Sequence, residues 1–153
     1  MTKLQVTTPA PTDIQMTRTF DAPRRLVIRA LSEPALIKKW LGNSCSALTS
    51  AEVEFRVGGG YRYVFQRPDG GQFTFTGVYR EIAEGRVVHS ERFDDNPDEA
   101  LVTTTLTEHG GATTMTVVMR FSSQAIRDMV VATGMERGAA ESYDNLAALV
   151  VTL

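Results

Sequence analysis

Two side chains in this sequence have the chemistry to exchange a proton near neutral pH from a shared position. His89 and Glu91 stand two apart in RVVHSERF, Arg86–Phe93. The segment has strand character, so the two project from the same face of a sheet. Val87 and Phe93 share that face, which makes it the inward one. A buried carboxylate is costly unless a neighbour supplies a proton or a hydrogen bond. In that register the pair is a polar anchor for a ligand, or a general acid/base pair. A slip of one residue turns both to water as solvated groups. The segment alone leaves both registers open. Trp40, Tyr61, Tyr63 and Tyr79 combine apolar area with a polar tip, so they could orient a flat ligand by stacking and one hydrogen bond. Phe75 and Met135 add apolar wall, Met135 an adaptable one. The same residues also suit ordinary core packing.

Other motifs fall away on spacing. DDNPDE, residues 94–99, lacks the ligand offsets and turning glycine of a calcium loop. Gly58-Gly59-Gly60 leads into a strand rather than a helix, with no following Gly-Lys-Ser/Thr, so it reads as a tight turn and not a phosphate cradle. With two histidines, and neither HExxH nor CxxC, no metal and no cofactor is expected.

The elements that would position these residues are legible from period and punctuation. Asp13–Phe20 alternates as a strand. Asp21-Ala22-Pro23 opens a short helix, and Ser32 with Pro34 opens a second, ending at Gly42-Asn43. From Ala47 to Phe121 the period becomes two, and six strands are expected: Glu52–Val57, Tyr61–Gln66, Phe73–Ile82, Arg86–Phe93, Ala100–Glu108 and Ala112–Phe121. Short turns join them, so neighbours pair in order as an antiparallel meander. The last 32 residues return to helical period, and Gly134 breaks or kinks them. One sheet face then carries Tyr61, Tyr63, Phe65, Phe73, Phe75 and Tyr79. It must be covered, and the C-terminal helix is the long apolar element able to do so. A cavity of a few hundred Å³ between sheet and helix, roofed by the two short helices, is the expected result.

The chain has 153 residues, 42% hydrophobic and 22% charged, with a formal net charge of −2. Length and composition fit one globular domain, residues 13–153, preceded by a flexible arm, residues 1–12. The absence of a basic excess argues against a generic nucleic-acid binder. No run of about 18 apolar residues predicts a membrane span, and the N-terminus lacks the apolar run of a secretion signal. The single cysteine, Cys45, fits a cytoplasmic setting.

Several segments in order resemble one family. Phe20-Asp21-Ala22-Pro23 precedes a Leu/Val-rich helix, and Trp40 ends the next. Val57-Gly58-Gly59-Gly60-Tyr61-Arg62-Tyr63, Phe75–Ile82, Arg86–Glu91 and Gly134-Met135-x-x-Gly138 follow. The whole resembles the heat-shock-protein ATPase-activator-homologue (AHSA-type) family of the START-like, SRPBCC, birch-pollen-allergen-like superfamily, over residues 13–152. The resemblance implies an α+β helix-grip fold, a curved antiparallel sheet wrapped around a long C-terminal helix. That superfamily includes lipid carriers, hormone receptors, polyketide cyclases and aromatases.

Three functions stay in play. The first is a binding protein for a small apolar or aromatic, lipid-like molecule, its cavity lined by Trp40, Tyr61, Tyr63, Phe75, Tyr79, His89, Glu91 and Met135. The second is a cyclase- or hydrolase-type enzyme using His89 and Glu91 as acid and base. The third is a co-chaperone-like partner of a chaperone. A homodimer formed through exposed strands is also open.

Overall fold

A computed structural model describes residues 3–153. The elements are β1 (Gln5–Thr7), β2 (Asp13–Phe20), α1 (Arg24–Ser32), α2 (Pro34–Trp40), β3 (Gly42–Asn43), β4 (Ser46–Val53), β5 (Gly60–Gln66), β6 (Gln72–Ala83), β7 (Arg86–Phe93), β8 (Glu99–His109), β9 (Ala112–Arg120), α3 (Gln124–Ala132) and α4 (Met135–Val150). Among the described residues the nine strands form one sheet in the order β1-β2-β9-β8-β7-β6-β5-β4-β3. Every pairing is antiparallel. This is the α+β helix-grip architecture. The helices lie on the face that carries the alternating apolar residues.

Local chemistry explains most joints. His109 pairs with Ala112 around Gly110 and Gly111, both at positive φ (59° and 81°), a two-residue hairpin whose twist matches its strands. Gly134 at φ 78° ends α3 and starts α4, a left-handed conformation that a side chain would disfavour. Ser123 caps α3 by accepting the Ile126 N–H at 3.2 Å.

Three sequence expectations are corrected. The segment read as a flexible arm supplies edge strand β1, with Val6 opposite Met16. Leu4 and Val6 pack on the core, so apolar contact holds what its Thr/Pro content suggested would be loose. Met1 and Thr2 of that arm lie outside the described residues. The strand expected at Glu52–Val57 runs instead from Ser46 to Val53. The chain leaves the sheet at Glu54, where Arg56 N–H bonds back to the Glu54 carbonyl and Gly59 N–H to that of Arg56. Ser32 does not cap α2; Glu33 holds that position, and the Ser32 hydroxyl donates back to the Ile28 carbonyl at 2.8 Å.

The main core joins β2, β8 and β9 to α1, α2 and α4 through Ile14, Phe20, Val27, Leu106, Met115, Leu146 and neighbours. Three charged residues are buried among the described ones, Asp13, Arg18 and Arg127. Arg18 on β2 is 1% exposed and reaches Asp144 on α4 through Nη1 at 2.7 Å, while its Nε and Nη2 are buried without a partner. Asp144 is itself 64% exposed, so only the arginine is withdrawn from water, and replacing a half-satisfied buried charge with an apolar side chain of similar length is often neutral or stabilising. Arg18→Met is therefore expected to unfold in urea at a midpoint equal to or above that of the wild type. A loss greater than ~1 kcal/mol would contradict this. Among the described residues no helix is long and apolar enough to cross a membrane.

Candidate functional site

The site grows from the alternation of β5, β6 and β7. Tyr61 and Tyr63 on β5 face the same way as Phe75, Gly77 and Tyr79 on β6, with Tyr61 opposite Gly77 and Tyr63 opposite Phe75. Tyr79 lies opposite His89 on β7. The Tyr61 ring lies across Gly77: a Cβ there would come within 2.5 Å of Tyr61 Cε1 and 2.7 Å of Cζ. That close approach lets the Tyr61 hydroxyl span β6 and donate to the Ser90 carbonyl on β7 at 2.8 Å.

This bond sets the histidine. His89 Nδ1 lies 3.1 Å from both the Tyr61 hydroxyl and the Ser90 carbonyl. The Tyr61 proton is already given to Ser90, so Nδ1 carries the ring's hydrogen and donates, and Nε2 is left as a free acceptor. Burial lowers the His89 pKa, opposed by the bond to Ser90, so the ring is neutral at pH 7.

The tyrosines pack on one another. Ring centroids lie 4.9 Å apart for Tyr61 and Tyr63, 5.7 Å for Tyr61 and Tyr79, and 5.1 Å for Tyr61 and His89. Phe55 meets Tyr79 edge-on at 5.1 Å. The Tyr63 and Tyr79 hydroxyls act on each other. Burial raises the pKa of Tyr61 and Tyr63 far above the ordinary phenol range, and that of Tyr79 to about 12. All three are neutral hydroxyls under any physiological condition.

Glu91 follows His89 on the same face and is partly buried. Among the described residues it makes no hydrogen bond and no ion pair, and burial raises its pKa to about 7. Its charge is felt at Tyr61, Tyr63 and Tyr143. Tyr143, on α4, is not among the expected site residues, although its hydroxyl is a signal that could have drawn it in.

A cleft of about 70 Å³ opens beside His89, walled by Ile28 and Leu31 of α1, Phe55, Val87 and Thr104. At ~30 Å³ per water this is room for about two waters, smaller than the few hundred Å³ expected from the sequence. Of the expected lining residues, Tyr61, Tyr63, Tyr79, His89 and Glu91 come together. Trp40 does not join them: it is buried in the main core, gives its Nε1 hydrogen to the Ala30 carbonyl at 2.8 Å and stacks on Tyr143 at 5.9 Å. Met135 packs against that same core. Phe75 belongs to a neighbouring cluster with Phe65, Phe73 and Phe93, at 5.4 Å from Phe93. Phe55, Ile28, Leu31 and Thr104 were not foreseen, because the cleft depends on how α1 seats over β7 and β8. Among the described residues no group of three or more His, Cys, Asp or Glu side chains is placed to hold a metal ion.

Comparison with solved structures finds the same fold across nearly the whole chain. A Rhodobacter sphaeroides protein is 28% identical with a TM-score of 0.92, over 99% of this chain and 100% of its own. A Chromobacterium violaceum protein is 30% identical with a TM-score of 0.78, over 92% and 98%. A Nitrosomonas europaea protein is 23% identical with a TM-score of 0.85, over 95% and 97%. Comparison with curated proteins returns no match. Residues 21–151 match the family described as activator of Hsp90 ATPase homolog 1-like protein, and the chain belongs to that family, within the START-like superfamily.

Proposed function

We propose that this protein binds a small apolar or aromatic molecule against the β5–β7 face, between that face and helices α1 and α4. The observation that carries the reading is Glu91, a half-buried carboxyl on the His89 face with neither cation nor hydrogen-bond donor to offset it among the described residues. Such a group lowers stability, and strongly perturbed carboxyls concentrate at binding and catalytic sites. The mostly apolar walls beside His89, with the Thr104 hydroxyl as a second polar handle, suit a ligand held by burial and oriented by one or two polar contacts. The cleft is small, so entry requires α1 and the Phe55 turn to part from β7. The free thiol of Cys45 suits a reducing, cytoplasmic setting.

Native mass spectrometry of gently purified protein, paired with aromatic-region NMR during addition of a library of aromatic fragments, tests this. A retained small molecule, or shifts in the Tyr61, Tyr63 and Tyr143 signals, is expected. A protein that is always empty and shows no shift across the library overturns it.

The opposed shifts of His89 and Glu91 favour one further reading, because groups pushed apart in pKa can divide the roles of base and acid. That reading expects turnover of an ester or polyketide-like substrate that disappears in Glu91→Gln.

A further inference from the structure

The cleft beside His89 narrows the ligand class, on the assumption that the binding reading holds. Its polar groups are His89 and Thr104. His89 Nδ1 is occupied by the Tyr61 hydroxyl and the Ser90 carbonyl, which leaves Nε2 as an acceptor without a hydrogen. Thr104 is 8% exposed, and neither its hydroxyl nor Nε2 has a partner among the described residues. The side-chain atoms sealed away there without a partner are Nε and Nη2 of Arg18 and Nε of Arg24. Nε2 and Thr104 Oγ1 are not of that set, so both open onto free space, and the cleft is the space their residues share.

One small group can meet both. His89 stands opposite Val102 and Thr104 opposite Val87, so the two are diagonal neighbours on one face, about 7–8 Å apart. A hydroxyl placed between them donates to Nε2 and accepts from Thr104. No charged side chain lines the cleft, so a carboxylate or an ammonium would lose its water with no opposite charge in return. A carboxylate, an ether or a ketone also has no hydrogen to give Nε2. Size sets the last limit. A cavity that holds benzene measures about 150 Å³, whereas this one measures about 70 Å³. That admits a hydroxymethyl group but not a ring. Such a head keeps the hydrogen bonds that water would make there and adds apolar contact.

We propose that the ligand is a neutral primary alcohol, its hydroxymethyl head seated in the cleft between His89 Nε2 and the Thr104 hydroxyl, its apolar body lying along Ile28, Leu31 and Phe55.

Three probes of similar length separate this from its alternatives: n-hexanol, n-hexyl fluoride and hexanoate, titrated into the full chain by calorimetry and NMR. The alcohol is expected to bind roughly tenfold more tightly than the fluoride, which cannot donate to the buried nitrogen, and hexanoate least. In the wild type the alcohol should move the Ile28 and Leu31 methyl signals and the nitrogen signal of His89 Nε2; the fluoride should move the methyls alone. His89→Phe should erase most of the preference. Thr104→Val, which leaves the bonds among Tyr61, His89 and Ser90 alone, should weaken the alcohol several-fold and the fluoride little. Equal affinity of alcohol and fluoride, an unmoved Nε2 signal, or tightest binding of hexanoate overturns the alcohol assignment and leaves the binding reading standing. No response at the cleft to any of the three also overturns it, and the binding reading falls as well only if the native mass spectrum and the fragment library are empty too.

Discussion

Gly77→Ala is expected to destabilise the protein by ~3 kcal/mol, a value typical of overpacking that the backbone cannot relieve. The new methyl would run into the Ser90 backbone carbonyl and into the Tyr61 ring. Neither can yield cheaply. The carbonyl lies on β7, beside a stretch where the β6–β7 register already shifts between Tyr79 and Glu81. The ring is 6% exposed and pinned at its far end by the bond to that same carbonyl. Relief requires Tyr61 to swing out, which breaks its hydroxyl bond and releases His89 Nδ1. Two readouts therefore move together. Thermal unfolding should fall by ~6–12 °C, at ~2–4 °C per kcal/mol for a chain of this size. The His89 ring should also titrate closer to its ordinary value by NMR. A variant within ~1 kcal/mol of the wild type would show that the sheet bends to admit the methyl.

The position of Gly77 also illustrates what a sequence can and cannot disclose. That Tyr61, Tyr63 and Phe65 share a face with Phe73, Phe75 and Tyr79 follows from period two, and the pairing of β5 with β6 realises it. The two-glycine turn at 110–111 was equally legible, because its chemistry is local. β4 was misplaced because its first half, Ser46-Ala47-Leu48-Thr49-Ser50, has little apolar alternation and becomes a strand by pairing with β5. β1 was missed because three residues carry almost no periodic signal, and contact with β2 makes the strand.

The site divides in the same way. Residue type and strand spacing singled out Tyr61, Tyr63, Tyr79, His89 and Glu91. They could not show that Tyr61 reaches across a glycine to a third strand, which is what assigns the histidine's hydrogen. Trp40 and Met135 were drawn toward the site by their chemistry, but the seating of α2 and α4 on the core keeps them elsewhere, and helix seating is not encoded in any local pattern. Nor does the sequence reveal that Glu91 lacks a partner. Sixteen Lys and Arg side chains are available, and only the fold shows that none comes to it.

That missing partner makes stability depend on pH through one side chain. In the unfolded chain the Glu91 carboxyl titrates near 4.5, and in the folded chain near 7. Below pH 4.5 both states hold the proton and the residue contributes nothing. Between 4.5 and 7 the unfolded state releases it first, so the folded state is the one binding more protons and its stability falls as pH rises. Above 7 the penalty is complete. A rise from 4.5 to about 7 corresponds to about 3 kcal/mol at 1.36 kcal/mol per pH unit, and partial access to water reduces it to ~2 kcal/mol. Glu91→Gln keeps the shape of the protonated acid and removes the titration. It should match the wild type at pH 4.5 and exceed it by ~4–8 °C in melting temperature at pH 8. His89 titrates in the opposite sense, since its lowered pKa costs stability as pH falls below 6.5, but it is common to both proteins and cancels in the difference. Melting curves at half-unit steps from pH 4 to 8.5 read the result directly. A difference that stays constant across the range would mean that Glu91 ionises as freely folded as unfolded, and that the recess around it is open to water.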